Sequence, residues 1–135
     1  MYENQATGTF ILTSGFNGEP ILNTGIVRKT TADEMIAQGR IETTAPGQLQ
    51  VQAGTLRLQG GTSILGGATT ISPGATLRIT NNTTHPAGAS IAGAGVLDVG
   101  GGLLTVLAAY AHAGETRVSG GQADFDNAAS VTFAA

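Results

Sequence analysis

The sequence predicts an all-β chain wound as a right-handed parallel β-helix, a β-solenoid with about six rungs of about 20 residues and three short strands per rung. The main observation is an apolar pair that recurs about every 20 residues, as in Leu56-Arg57-Leu58, Leu77-Arg78-Ile79 and Leu97-Asp98-Val99. Two further apolar rows fall between these pairs. The chain also has 21 glycines, which suit the frequent turns of a solenoid.

The first rungs are predicted from three apolar runs, Phe10-Ile11-Leu12, Ile21-Leu22 and Ile26-Val27. Residues 31–40 depart from the pattern and are predicted as a short irregular excursion. Within them, Thr31 followed by Glu34 resembles a capping box and favours one helical turn. Alternatively, Met35 and Ile36 fill a strand site of the solenoid. Both alternatives stay open at the sequence level, and either leaves the helix content very low.

Three strand sites recur in the C-terminal two-thirds of the chain, each alternating inward apolar with outward polar residues. The first site runs through Val51, Ile71, Ile91 and Val131. The second runs through Leu58, Ile79, Val99 and Val118. The third runs through Leu65, Val106 and Phe125. Residues 83–88 lack large apolar side chains where the third strand belongs, and we predict a polar loop or bulge there.

The outward residues of the second strand site offer a test of the stacking register. On successive rungs they are Arg57, Arg78, Asp98 and Arg117. At a strand spacing of about 4.8 Å, Asp98 would lie between two arginines and offset their repulsion. We expect these side chains to form one exposed column, in which each ion pair contributes about 0 to 1 kcal/mol.

Length and composition favour a single β-helix domain over residues 1–135. Aromatic residues make up only 4% of the chain, and the net charge is −3 with six basic residues. So few basic residues do not form the positive patch expected of a nucleic-acid-binding protein. No apolar run reaches the length of a membrane span. Cysteine is absent. Residues 1–9 lack the features of a signal peptide, which leaves two alternatives, a cytoplasmic chain or a segment of a longer secreted protein, and we expect the second.

Several phrases of the chain resemble the repeats of large bacterial secreted and surface β-helix proteins of the autotransporter-passenger and adhesin type. The matching stretches are Ile21-Leu22-Asn23-Thr24-Gly25, Gly47-Gln48-Leu49-Gln50-Val51, Gly54-Thr55-Leu56-Arg57-Leu58, Pro73-Gly74-Ala75-Thr76-Leu77 and Ile91-Ala92-Gly93-Ala94-Gly95-Val96-Leu97. The resemblance implies a right-handed parallel β-helix. It also implies a stalk or adhesive surface, because catalytic parts of such proteins sit in inserted loops or other domains.

Acidic residues near the C-terminus are the main candidates for chemistry. Asp124 and Asp126 flank Phe125 and would both point outward, with Glu115 about half a rung earlier. β-Helix polysaccharide lyases and hydrolases place acids along one wall groove. We interpret this small set as part of a solvent-exposed wall. A calcium site would need more oxygen ligands than these residues supply.

The histidines and threonines are likewise interpreted as surface residues. His85 is placed in the polar loop and His112 near a strand end, without the spacing of a catalytic triad or a zinc site. An ice-binding wall would need a regular double row of outward threonines. Thr55, Thr76 and Thr116 share a predicted column, but Gly95-Val96 breaks it.

These observations predict a structural or adhesive module of an extracellular bacterial surface protein, with no catalytic residues, no metal site and no cofactor. Alternatives are a filament subunit that assembles end to end, a fragment of a carbohydrate-active enzyme and, least favoured, an ice-binding solenoid. The predicted partners are other copies of the chain or the rest of a longer chain, which would bind through open rung edges. Surface glycans and other cell-surface ligands are further candidates, whereas nucleic acid is not expected.

Overall fold

The computed structural model describes residues 1–13 and 18–125, which form parallel strands and turns without a helix. The strands stack into a β-solenoid of about six turns, with equivalent positions about 20 residues apart. A ten-stranded sheet bends along two long strands to form two walls, and a five-stranded sheet forms the third. The predicted fold class is therefore confirmed.

Each wall consists of strands contributed by successive turns, one strand or one part of a long strand per turn. Wall 1 contains β1 (Tyr2–Asn4), β3 (Ile21–Asn23), β10 (Asn82–His85), β13 (Leu103–Val106) and β15 (Gln122–Asp124). Wall 2 contains β2 (Thr9–Leu12), β4 (Ile26–Lys29) and β11 (Ser90–Ala92). The long strands β6 (Ile41–Val51) and β8 (Thr62–Ile71) run through walls 1 and 2. Wall 3 contains β5 (Glu34–Ala37), β7 (Thr55–Leu58), β9 (Thr76–Ile79), β12 (Val96–Val99) and β14 (Thr116–Val118).

Wall 3 has the predicted register of the second strand site. Leu58 pairs with Ile79, which pairs with Val99, and all three side chains are fully buried. Val118 continues the column beside Val99, but it is 51% exposed. Its strand β14 pairs with β12 alone among the described strands, so the column is predicted correctly whereas the burial of Val118 is not.

The first strand site is confirmed between Val51 and Ile71 but slips at the next turn. Ile91 pairs with Thr69 rather than lying beside Ile71. Gly93 takes that place, and a Cβ built on it would stand 2.1 Å from the Ile71 carbonyl oxygen. A slip of two residues leaves the same side chains facing inward, so apolar periodicity cannot detect it. The predicted continuation at Val131 lies outside the described residues.

Residues 31–40 contain a regular strand of wall 3. In β5, Met35 pairs with Leu56 and is buried, whereas Ile36 pairs with Arg57 on the outer face. The strand alternative is thus the correct one, and there is no helical turn. The apolar neighbours Leu56 and Leu77 of the following turns offer Met35 a column to extend.

The predicted polar loop at residues 83–88 is wrong for its first half, because Asn82–His85 forms strand β10 of wall 1, whereas residues 86–88 do form a turn. The inward residues of β10 are Thr83 and His85, with exposures of 1% and 0%. Thr83 donates a hydrogen bond from Oγ1 to Asn81 Oδ1 at 2.8 Å, so its hydroxyl is satisfied inside the solenoid. His85 pairs with Val106 and fills the gap in the third strand site between Leu65 and Val106.

Aromatic side chains lie in the first and last described turns. The ring centroids of Tyr2 and Phe10 are 5.8 Å apart, next to the inward residues Ile21 and Val27 of the following turn. At the opposite end, the rings of Tyr110 and Phe125 meet edge to face at 5.1 Å. Between these ends the apolar core residues are aliphatic, as expected for a narrow interior.

Candidate functional site

The outer column of wall 3 is the most organised set of charged groups in the described chain. Arg57 pairs with Arg78, Arg78 with Asp98, and Asp98 with Arg117. The predicted ladder order is therefore confirmed. Two arginines on consecutive turns stand directly beside each other, an arrangement that costs free energy in a sheet.

Three side chains of this column, Arg57, Arg78 and Asp98, lean in a common direction, each toward a residue of the next turn. Arg57 donates from Nε to Thr80 Oγ1 at 3.4 Å, and Asp98 Oδ1 accepts from Ser119 Oγ at 2.7 Å. Arg78, between them, leans over Gly100, where a Cβ would stand 2.7 Å from its Nε. Glycine has no hydroxyl to offer. Arg78 Nε consequently has no hydrogen-bond partner among the described residues.

Ion pairs along the column differ in quality. Arg117 and Glu115 approach to 2.9 Å, within hydrogen-bond distance. Arg57 to Glu34 and Arg78 to Asp98 are longer, at 4.0 and 3.7 Å. Two expectations need correction here. The Asp98 side chain is only 8% exposed, because Ser119 and its strand neighbours cover it. Arg117 forms its ion pair with Glu115, two residues earlier, rather than with Asp98.

A lysine lies inside the solenoid near the turn that leaves wall 2. Lys29 stands in the inward column between Leu12 and Val51 and is 0% exposed. Its Nζ donates to the carbonyl oxygens of Thr31 and Ala53. Burial lowers the pKa of Lys29, and the Asp33 carboxylate, 3.8 Å away, opposes that shift. The arrangement satisfies turn carbonyls that would otherwise be buried without donors.

Both histidines are buried, so their predicted surface positions are wrong. His85 is 0% exposed and His112 is 1% exposed. His85 Nδ1 lies 3.2 Å from the Leu65 carbonyl oxygen, and His112 Nε2 lies 2.9 Å from the Gly95 carbonyl oxygen. A carbonyl can only accept, so these nitrogens carry the protons. Burial lowers the pKa of His85, and the hydrogen bond to Leu65 opposes the shift.

Amide side chains join walls 1 and 2 inside the first turns. Asn4 donates from Nδ2 to Asn23 Oδ1 at 2.8 Å, and Asn23 donates from Nδ2 to the Gln48 carbonyl oxygen at 2.9 Å. Both asparagines are buried. They satisfy backbone groups where the chain turns, which is the role that polar residues take inside a solenoid.

A groove of about 250 Å³ lies in the same turns. Its lining residues are Glu3, Asn4, Leu22, Asn23, Thr24, Glu42 and Thr44. The two carboxylates already have partners: Gln5 donates to Glu3 at 2.8 Å, and Arg40 lies 3.3 Å from Glu42. Both carboxylates of the groove lining thus have a polar partner from the chain itself.

The predicted acidic candidates do not converge in the described chain. Asp124 lies in β15 of wall 1, whereas Glu115 precedes β14 of wall 3. Asp126 lies outside the described residues. Across residues 1–13 and 18–125, no group of three or more His, Cys, Asp or Glu side chains is arranged to hold a metal ion.

The threonine column is also interrupted. Thr55 pairs with Thr76, and Thr76 pairs with Val96, as predicted. Thr116 pairs with Leu97 instead, in the inward column, where its hydroxyl lies 2.7 Å from the Tyr110 hydroxyl. Its predicted place in the outer column is therefore wrong. The paired outward threonines of wall 3 do not extend into the regular array that ice binding would need.

None of the described segments forms a helix with the length and hydrophobicity needed to cross a bilayer. Comparison with protein-family models, with curated proteins and with solved structures finds no match to this chain. Functional inference therefore depends on the geometry of the solenoid itself.

Proposed function

We propose that the chain is a structural module of an extracellular bacterial surface protein, a stalk or adhesive scaffold without catalytic activity. One observation carries the proposal. Among the described residues, every large hydrophobic side chain that is exposed belongs to the first or last turns: Met1, Tyr2, Ile11 and Val118. On the walls between them, the large apolar residues that face outward, such as Ile36 and Ile64, are half-buried among polar and small residues. Such a molecule resembles a segment of a rod whose end turns contact another protein segment and whose sides are exposed to solvent.

A rod segment should accept extra turns of its own sequence. Inserting two further copies of residues 55–75, one turn from β7 to the start of β9, should preserve folding and lengthen the molecule by about 10 Å in small-angle X-ray scattering. A scrambled insert of the same composition is the control and should unfold the chain. Loss of folding with the native insert would contradict the scaffold proposal.

Catalysis and location need separate measurements. Assay of the chain against a panel of acidic and neutral polysaccharides should detect no cleavage, and cleavage abolished by Asp124→Asn or Asp126→Asn would overturn the non-enzymatic part. Antibodies against wall 3 should label intact cells of the source organism without permeabilisation. Labelling only after permeabilisation would contradict an extracellular location.

A second candidate function, end-to-end assembly, is favoured by the same exposed residues. Strands β1 and β2 each pair on one side only among the described strands, and Ile11 on β2 is 50% exposed. Such edges pair readily with another chain. Light scattering should show association that rises with concentration and falls in Ile11→Lys. The matched control, Ile64→Lys on the outer face of an internal turn, should associate like the wild type. A chain that stays monomeric at high concentration would exclude assembly.

A further inference from the structure

We propose that Arg57 and Arg78 form a binding site for an oxyanion, that is, a sulfate, phosphate or carboxylate group. This goes beyond the scaffold role, which requires no ligand. The two arginines occupy directly paired outward positions on β7 and β9. Paired positions in parallel strands lie about 4.8 Å apart, so both guanidinium groups can reach one anion between them.

Within residues 1–13 and 18–125, few of the guanidinium donors of this pair have a hydrogen-bond partner. Arg57 makes one long hydrogen bond, 3.4 Å from Nε to Thr80 Oγ1. Arg78 makes none among the described residues. Its Nε is buried, so the 40% exposure of its side chain belongs to the other atoms. Guanidinium groups bind oxyanions strongly because several N–H groups point in parallel from one plane.

Glu34 and Asp98 flank the pair from opposite sides, with oxygen-to-nitrogen distances of 4.0 and 3.7 Å. These distances exceed hydrogen-bond length, so the carboxylates reduce the positive potential without occupying the donors. Since the carboxylates lie beyond Arg57 on one side and Arg78 on the other, the positive charge is concentrated between the two arginines. An anion held there would relieve the repulsion that direct pairing of like charges creates.

Gly100 explains why Arg78, unlike the other charged residues of this column, has no hydrogen-bond partner among the described residues. Thr80 and Ser119 provide hydroxyls to Arg57 and Asp98, whereas Gly100 provides none to Arg78. Arg117, the other outward arginine of wall 3, already has a close partner, with Glu115 at 2.9 Å. Arg117 is therefore a natural control that shares the column without the proposed function.

The test is a nuclear magnetic resonance titration of arginine Nε–H signals with sodium sulfate, using sodium chloride at equal ionic strength as reference. We expect saturable shifts for Arg57 and Arg78 in the wild type. Arg78→Gln should lower the affinity about tenfold, the effect of losing charge-assisted hydrogen bonds. Arg117→Gln should bind like the wild type. Gly100→Ser, which displaces the Arg78 guanidinium and offers it a hydroxyl, should bind more weakly.

Two further arms complete the test. Arg78→Lys keeps the charge and removes the planar fork, so it should fold and bind more weakly even if Arg78→Gln does not fold. A sulfated heparin tetrasaccharide and its desulfated counterpart identify the source of the anion. Tighter binding of the sulfated sugar than of free sulfate indicates a glycan-borne group, and equal or weaker binding indicates a free ion. Equal sulfate effects in the wild type, Arg78→Lys and Arg117→Gln would overturn the proposal, because general stabilisation by sulfate is independent of these side chains.

Discussion

Lys29 and His85 show how single residues depart from the aliphatic pattern inside this solenoid. Each takes an inward position that apolar residues hold on neighbouring turns, Leu12 and Val51 around Lys29, and Leu65 and Val106 around His85. Lys29 donates to the carbonyl oxygens of Thr31 and Ala53 and to the Thr31 hydroxyl, so its burial is supported by hydrogen bonds. His85 has one hydrogen bond, and its Nε2 has no partner among the described residues. The two sites therefore differ in how they respond to protonation.

Acid should destabilise the fold through His85. Because burial lowers the pKa of His85, the unfolded chain binds a proton more readily than the folded chain. The full contribution to stability is present above the unfolded pKa of about 6.5 and is lost as pH falls below it. Urea unfolding at pH 7.5 and pH 5.0 should show a lower midpoint in acid.

Substitution of His85 separates this effect from the rest of the molecule. His85→Leu should reduce the difference between the two midpoints, whereas Thr84→Val, on the outer face of the same strand, should retain it. His85→Gln provides a second uncharged variant should leucine fit badly beside Val106. Retention of the wild-type difference in both His85 variants would show that other groups cause the acid effect.

Apolar periodicity predicted most of the column residues, and it missed residues whose burial depends on hydrogen bonds. Leu58, Ile79 and Val99 were predictable because large aliphatic side chains recur at one spacing. Thr83 and His85 were not, since a polar residue signals a loop unless its internal partners are known. Asn81 Oδ1 and the Leu65 carbonyl oxygen supply those partners only after the chain has folded.

At the level of the strand, register and burial are separate properties. Leu77 and Val118 both belong to wall 3, yet Leu77 is 0% exposed and Val118 is 51% exposed. Leu77→Ala should cost about 2–5 kcal/mol, because it removes a side chain packed between two turns. Val118→Ala should cost about 0.5 kcal/mol or less. Denaturant unfolding of both variants checks this difference, and similar costs would contradict the stacking.

Turn glycines give a second test at this scale. Leu58 and Val99 lie two turns apart in one inward column, each paired with Ile79, so Gly60 and Gly101, two residues further along, hold equivalent positions. A Cβ on Gly60 would stand 1.4 Å from the Gln38 carbonyl oxygen, whereas one on Gly101 would meet nothing closer than 3.4 Å. Gly60→Ala should therefore cost about 1–3 kcal/mol, and Gly101→Ala should be neutral or slightly stabilising. Comparable midpoints for the two variants would argue against this close approach between turns.

The unpartnered Nε of Arg78, on which the proposed oxyanion site depends, could not be predicted from the sequence. The column order Arg57, Arg78, Asp98, Arg117 followed from the 20-residue spacing alone. The lack of a hydroxyl beside Arg78 depends on Gly100, which occurs among three consecutive glycines and has no distinctive signal. In the same way, the two-residue slip at Ile91 depends on Gly93 fitting beside Ile71, and either register places apolar residues inward.

For the whole molecule, a β-solenoid requires that residues about one turn apart be nearest neighbours. Every strand pair in the described part of the chain joins successive turns, from β1 with β3 to β13 with β15. Stability should therefore be distributed along the stack rather than concentrated in one centre, as in other repeat proteins. A fold built from contacts within each turn would have a different set of neighbours.

Methyl-to-methyl nuclear Overhauser effects in a selectively labelled sample test this requirement most directly. The stacked arrangement predicts cross-peaks that link Leu56 to Leu77, Leu77 to Leu97, Leu58 to Ile79 and Ile79 to Val99, as their strand pairing requires. Absence of these cross-peaks in a folded sample, with methyl contacts confined to residues of the same turn, would contradict the solenoid.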